Sequence, residues 1–204
     1  MRIALAIKSC HKHSARRDAQ IATWLPEWQQ DYFFVIGKPQ IVLPDTLSCL
    51  VDDGFANIAP KILCSVLYAL ENNYEHLVVA DDDTYIRPAR LLKSGFAKHD
   101  YVGFARTSGL FYNQDVPYMQ GSCYVLSARA MEHIARAGEH IMVPGVIDDG
   151  AVGRCLVGKV SFTHDWRFVP GPEALPLPTN EWISVHKALP ATMHRIHEMV
   201  NKNA

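Results

Sequence analysis

Tyr74-Glu-His-Leu-Val-Val-Ala-Asp-Asp-Asp-Thr-Tyr-Ile86 joins a strand-like apolar run to an acidic triplet. Leu77 to Ala80 are β-prone and apolar, Asp81, Asp82 and Asp83 follow, and apolar character returns at Tyr85 and Ile86 before Arg87-Pro88. Adjacent carboxylates repel and weaken a strand unless a cation or a set of donors offsets their charge. A solvated loop is the ordinary explanation of three acids in a row, but apolar flanks on both sides argue for a buried strand that ends in a ligand site. Alternation along an extended backbone sends Asp81 and Asp83 to one side and Asp82 to the other, the arrangement a hard divalent cation uses. The longer, glycine-containing loop of helix-loop-helix calcium sites is not present.

Outward from this stretch, strand and helix signals alternate. Ile3 to Ile7 is apolar at every position and reads as a central strand of a parallel sheet, ending at Lys8-Ser9-Cys10 where such sheets hold ligands. Ser14 is placed to cap a helix over Ala15 to Leu25, closed by Pro26, and Tyr32 to Ile36 is a second strand stopped by Gly37-Lys38-Pro39. Asp52-Asp53-Gly54-Phe55 is a loop, and Ala59-Pro60 opens a helix to about Asn72. After the acidic strand come a short helix over Leu91 to Phe96 and a strand at Tyr101 to Phe104. Tyr118 to Leu126 leads into another strand, and Ser127 caps a helix over Ala128 to Ala137. Pro144 to Asp149 is a loop before a helix over Ala151 to Val157. Val160 to Phe162 is a strand, Pro170 to Thr179 an irregular loop with four prolines, Trp182 to His186 a last strand and Ala191 to Val200 a terminal helix. The pattern predicts one α/β domain.

Composition agrees with that class. The chain has 204 residues, 49% hydrophobic and 20% charged, which suits one soluble globular domain. A net charge of −1 gives no global field to attract nucleic acid or anionic lipid, although Lys12, Arg16 and Arg17 cluster near the start. The apolar runs are far too short to span a bilayer, and the start does not read as a signal peptide. Five scattered cysteines in apolar settings predict free thiols in a reducing compartment, hence a cytoplasmic protein, rather than a disulfide framework or a zinc site.

Six separated motifs together resemble the inverting glycosyltransferases of family 31, the β-1,3-galactosyl- and N-acetylglucosaminyltransferases that include Fringe and the core 1 synthase. They run from Ile3 to Val200 in the family's order. Ala6-Ile-Lys-Ser9, Arg16-Arg-Asp-Ala19 and Thr23-Trp24 look like the opening strand and its helix. Asp52, Phe55, Asn57-Ile58 and Lys61 resemble D-x-Y-x-N-L-x-x-K, and Asp81 to Tyr85 the D-D-D-x-[YF] metal motif. Tyr118 to Ser127 is similar to Y-x-x-G-x-G-Y-V-L-S, and Ile147 to Leu156 to [ED]-D-V-x-x-G-x-C-L. Ser184-Val-His186, followed by Met193, is similar to the C-terminal histidine segment. Cys123 stands where the family has a second glycine and Gly150 where it has a bulky residue. The chain also lacks the membrane anchor and disulfide pattern of lumenal members; these departures bear on acceptor and compartment more than on the reaction.

The resemblance implies a GT-A-type, Rossmann-like nucleotide-sugar fold, with the donor handled by residues of about 1–105 and the acceptor by about 106–204. It implies a metal-dependent, inverting transfer of galactose or N-acetylglucosamine from a UDP-sugar to a glycan hydroxyl, forming a β-1,3 linkage, in a setting such as bacterial or viral surface-glycan assembly. Contact with a membrane surface would come only through the acceptor. Oxygen ligands with one imidazole suit Mn²⁺, which assigns Asp83 and His186 as ligands and Asp81 to the metal, a metal-bound water or the ribose. His164, after another strand, is the reserve ligand. By resemblance Asp149 is the base and Asp148 shapes the acceptor site, although acids here also suit a helix start. Lys8, Ser9, Arg16, Asp52, Lys61, Asp82 and Gly121 are expected around the nucleotide sugar, Gly121 through close backbone approach. Arg17 is open between that role and a solvated face. Trp24 and Trp28 read as core and Trp182 as a sugar platform. The competing classes are a non-catalytic UDP-sugar or glycan-binding module of the same fold, and a metal-dependent phosphohydrolase built on the acid triplet.

Overall fold

Two sheets and six helices account for the regular structure in the computed structural model, which describes residues 1–38, 45–106, 116–174 and 181–202. The strands are β1 (Ile3–Lys8), β2 (Asp31–Ile36), β3 (Thr46–Ser48), β4 (His76–Asp81), β5 (Tyr85–Ile86), β6 (Tyr101–Arg106), β7 (Tyr118–Ser127), β8 (Phe162–His164), β9 (Phe168–Val169) and β10 (Ser184–Val185). The helices are α1 (Ser14–Ala22), α2 (Ile58–Glu71), α3 (Pro88–Leu92), α4 (Ala128–Ile141), α5 (Asp148–Leu156) and α6 (Pro190–Lys202). Seven strands form the main sheet in the order β3-β2-β1-β4-β7-β6-β8, and β5-β10-β9 form a small second sheet.

β1 is buried throughout because a parallel strand flanks it on each side, β2 and β4. Its two faces differ in bulk. Ile3, Leu5 and Ile7 pack with Trp24, Trp28, Met193 and Ile196 on one side of the sheet, whereas Ala4 and Ala6 face Ala59, Ile62 and Val66 of α2 on the other. Small strand residues let α2 lie close, and α2, α4 and α5 then pack in series over that face, while α1 and α6 cover its opposite.

β7 runs antiparallel to β4 and β6. Between Gly103 and Ala105 on β6, which pair with Tyr124 and Met119, the register shifts: the single residue Phe104 stands opposite the four from Gln120 to Cys123 on β7. Such a bulge re-aims side chains at the edge of a site. Here it covers Gln120 and Gly121.

Several element bounds move for local reasons. α1 stops at Ala22, since Thr23 leaves helical angles and its Oγ donates to the Ala19 carbonyl; Leu25–Glu27 is a separate 3-10 turn. Pro88 opens α3, and Gly95 with φ 86° follows it, so the expected helix over Leu91 to Phe96 ends early. α4 is capped by Ser127, whose Oγ accepts from the Ala130 N–H. α5 begins at Asp148, ahead of the expected Ala151, and the strand expected at Val160 to Phe162 pairs at Phe162 to His164. The short strands β3 and β9 have too few residues to show a period. Pro39, Pro176, Pro178 and Thr179 lie outside the described residues. Among the described residues no helix is long and apolar enough to cross a membrane.

Candidate active site

The carboxyl ends of β1 and β4 lie side by side, Lys8 opposite Asp81, and there the acidic triplet leaves the sheet. The Asp82 N–H donates to the Lys8 carbonyl, the Thr84 N–H to that of Asp81, and the Gln20 amide to the carbonyls of Asp81 and Thr84, so the turn is held from both sides. Asp81 and Asp83 face His186, whose Nε2 is 3.5 Å from Asp81 Oδ2 and 3.3 Å from Asp83 Oδ1. Asp82 turns the other way. Its oxygens meet Ser9 Oγ at 2.8 Å, His13 Nδ1 at 2.8 Å and Arg16 Nη1 at 2.9 Å.

His186 arrives from the small sheet. β10 pairs with β5, the continuation of the acidic turn, and the Ala188 N–H donates to the Asp83 carbonyl across a residue with positive φ, Lys187. On the far side of the ring, the Gln120 amide lies 3.3 Å from Nδ1 and is itself bonded by Arg106 at 2.9 Å. The contact fixes the plane of the ring beside the two aspartates. One ligand atom each from Asp81, Asp83 and His186 lies within 4.8 Å of the others. Neighbouring ligands of an octahedral cation with bonds of about 2.1 Å stand about 3 Å apart, and the observed spacings are close to that. Two carboxylates and one imidazole are also a donor set that suits a divalent ion such as Mn²⁺. The residues fit the group.

Electrostatics ties these groups together. Burial alone would lower the His186 pKa, but Asp83 and Asp81 outweigh it and raise the value. Burial works against the Asp83 charge, yet His186 and then Arg16 hold its carboxyl below the usual range. Asp81 is raised by burial and by the charges of Asp148 and Asp83, against the pull of Lys8.

Lys8 is the hinge of the site. Its ammonium, almost sealed from solvent, donates to Asp148 Oδ2 at 2.7 Å, to the Gly121 carbonyl at 2.8 Å and lies 3.0 Å from Asp81 Oδ1. Burial disfavours this charge, but Asp148 and Asp81 more than compensate and raise its pKa. All three N–H bonds are thus engaged, which makes Lys8 a strut between the acidic triplet and the later acid pair. Beyond it, Asp149 accepts from the Gly150 N–H at 2.8 Å and the Gly121 N–H at 3.3 Å. Burial, then the charge of Asp148, pushes Asp149 up to about 6, with Lys8 and the two backbone bonds opposing. Both acids therefore open α5 and reach the site at once. A Cβ on Gly121 would lie 3.2 Å from both Asp148 Oδ2 and Lys8 Nζ, so a side chain there would press on that ion pair.

A cleft of about 540 Å³ extends from the triplet and His186 past Arg16 and the β1–α1 loop to Gly54, Phe55 and Ile58. Arg16 stands on its wall, 28% exposed, with Nη1 on Asp82 and 3.4 Å from Asp83. Asp52 does not belong to the cleft. It is exposed, and Asp53 points inward instead, accepting from the Gly37 N–H at 2.7 Å, the His11 N–H at 2.5 Å and Lys61 at 2.5 Å. The spacing D-x-[FY]-x-N-[IL]-x-x-K in fact counts from Asp53, the signal that could have found it. Lys61 is buried, its other bond going to the Ser9 carbonyl at 2.9 Å, so it braces the loop at the wall of the cleft. Arg17 is also buried, bonded to Ser9 Oγ and the Cys10 carbonyl, not a solvated face. Trp182 is 3% exposed, edge-on to Tyr85 with Arg87 over its ring, and cannot serve as a sugar platform. His164 lies away from the triplet, its Nδ1 accepting from the Ala105 N–H at 3.0 Å. Gln120, Arg106, Gln20 and His13 are further residues of the site whose part no spacing announces.

No protein-family model and no curated protein matches the sequence. Among solved structures, the chain is similar to a glycosyltransferase involved in the glycosylation of the major capsid of PBCV-1, with a TM-score of 0.61 and 11% identity over 98% of this chain and 100% of that one. At that identity the likeness speaks for architecture: the chain is a single α/β domain of the GT-A, Rossmann-like glycosyltransferase fold.

Proposed function

We propose that the chain is a metal-dependent, inverting glycosyltransferase that moves galactose or N-acetylglucosamine from a UDP-sugar to a glycan hydroxyl, forming a β-1,3 linkage. The observation that carries this reading is the convergence of Asp81, Asp83 and His186 at the strand ends of a GT-A fold, joined through Lys8 to Asp148 and beside it Asp149. The order of motifs resembling family 31 supports the sugar class and the linkage. The neighbour's part in capsid glycosylation is consistent with a glycan acceptor.

Asp81, Asp83 and His186 would hold Mn²⁺, which when bound offsets the negative charge that grows on the leaving diphosphate. The Arg16 guanidinium, engaged through Nη1 alone among the described residues, offers its remaining N–H groups to phosphate oxygens. Asp149, with a pKa near 6, is ionised at neutral pH and basic enough to take the proton of an attacking hydroxyl. Lys8 fixes Asp148 and the Gly121 carbonyl, and Gly121, having no side chain, lets that pair sit close against β7. The acceptor attacks directly and inverts the anomeric centre, so no protein nucleophile is required. Residues of about 1–105 supply most of the donor side and about 106–204 the acceptor side, with His186 crossing between them. Five free thiols support work in a reducing, cytoplasmic compartment.

Incubation with Mn²⁺, a panel of UDP-sugars and glycan acceptors tests this. UDP release with one donor, lost on chelation, is expected; no donor binding and no UDP release, even as slow hydrolysis, would overturn it.

A further inference from the structure

A second cavity, of about 420 Å³, opens beside β6 and β8 and shares no lining residue with the cleft. Its size is that of a small-molecule site. Phe96 and Val102 form an apolar floor and Trp166 stands at the rim. Of the four tryptophans, Trp24, Trp28 and Trp182 are at most 4% exposed, whereas Trp166 is 46% exposed. A single exposed indole needs no explanation by itself. Here, however, the loop that carries it is fixed in place: Arg167 clamps Asp165 through Nη2 at 2.7 Å and Nε at 2.9 Å, and reaches the Ser94 carbonyl at 3.2 Å.

The polar groups around it are of mixed kind. His164 accepts at Nδ1 from the Ala105 N–H, so in its neutral form Nε2 carries the proton and is a donor. His99 uses Nδ1 on Thr163 Oγ1 at 3.1 Å and keeps its other nitrogen. Glu181 is exposed and makes no ion pair among the described residues, which leaves a carboxylate acceptor. A phosphate would meet the charges of Glu181 and Asp165, and an apolar ligand would leave the imidazoles and carboxylate without partners. A hexose satisfies the set, with a C–H face for the indole and hydroxyls that both donate and accept.

We infer that this cavity is a saccharide subsite that holds a sugar of the acceptor glycan away from the transfer centre, an assignment of the ligand that rests on the proposed function. β6 connects the two places. Val102 lies on its floor, and Arg106, four residues on and so about 13 Å along the strand, bonds Gln120 beside His186. A short oligosaccharide bridges that distance.

Titration of the wild-type chain with galactose- and N-acetylglucosamine-containing di- to tetrasaccharides, followed by tryptophan emission, tests the subsite, because Trp166 is the exposed indole. A saturable emission change without UDP or metal is expected. Glu181→Gln should weaken binding about tenfold. Trp166→Ala, followed by calorimetry, should lose it, and in transfer should raise the acceptor KM at least several-fold while UDP-sugar hydrolysis stays unchanged. No saturable change up to roughly 10 mM sugar in a preparation that binds UDP with Mn²⁺, or an unaltered acceptor KM in Trp166→Ala, overturns the subsite and leaves the transferase reading standing. Saccharide binding lost in Trp166→Ala, in a chain that binds no UDP, supports the subsite and removes the transferase reading instead.

Discussion

Asp149 can serve as a base only while ionised, and its folded pKa of about 6 sets where that holds. Transfer kcat/KM should therefore rise with pH through about 6 and level off near 7. Burial is the larger cause of the raised value and Asp148 the second, so Asp148→Asn should move that acid limb only part of the way down. Asp149→Asn should lower transfer by about 10²- to 10⁴-fold while UDP binding, read by calorimetry, persists. Unchanged transfer would remove Asp149 as the base. Lys8 raises a different expectation. Lys8→Met would leave Asp81 and Asp148 without their shared cation, and breaking a buried pair costs about 3–5 kcal/mol. Asp81 keeps partial exposure, so about 3 kcal/mol in urea unfolding is expected. That Asp81 and Asp83 share a side was legible from strand alternation alone. That Lys8, Lys61 and Arg17 are struts was not, since a sequence shows a cation but not the acceptors that fold around it.

At the scale of elements, the placement of the acid pair depends on how α5 seats against β7. A Cβ on Gly153 would come within 2.5 Å of the Pro117 carbonyl oxygen, which is backbone and cannot swing aside. Gly153→Ala should then cost about 1–3 kcal/mol by overpacking and, by shifting the start of α5, lower transfer more than it lowers UDP affinity. A variant with unaltered unfolding and kinetics would refute this seating. The strands β1, β2, β4 and β6 and the helices α2, α4 and α6 are readable from period and punctuation, because each buries a continuous face. The β7 bulge is different: it exists only in the mismatch with β6, and it aims Gln120 at His186.

For the whole molecule, donor and metal binding to the folded state should appear as stability. At a hundredfold excess over Kd, UDP with Mn²⁺ should add about 2.7 kcal/mol, or roughly 5–10 °C in Tm for a chain of this size, and a chelator should remove most of it. Equal shifts with and without Mn²⁺ would separate the nucleotide from the Asp81, Asp83 and His186 group. The sequence by itself determined the alternating α/β order, the acid triplet at a strand end and the identity of most side chains that meet there, because periodicity and local charge are properties of neighbours along the chain. Only the tertiary structure decided that Lys8 bridges Asp81 and Asp148, that Asp53 rather than Asp52 faces the cleft, and that Trp182 is core while Trp166 is exposed. Those outcomes follow from packing between segments more than a hundred residues apart, or from the direction of a side chain at a turn, and neither leaves a local signature.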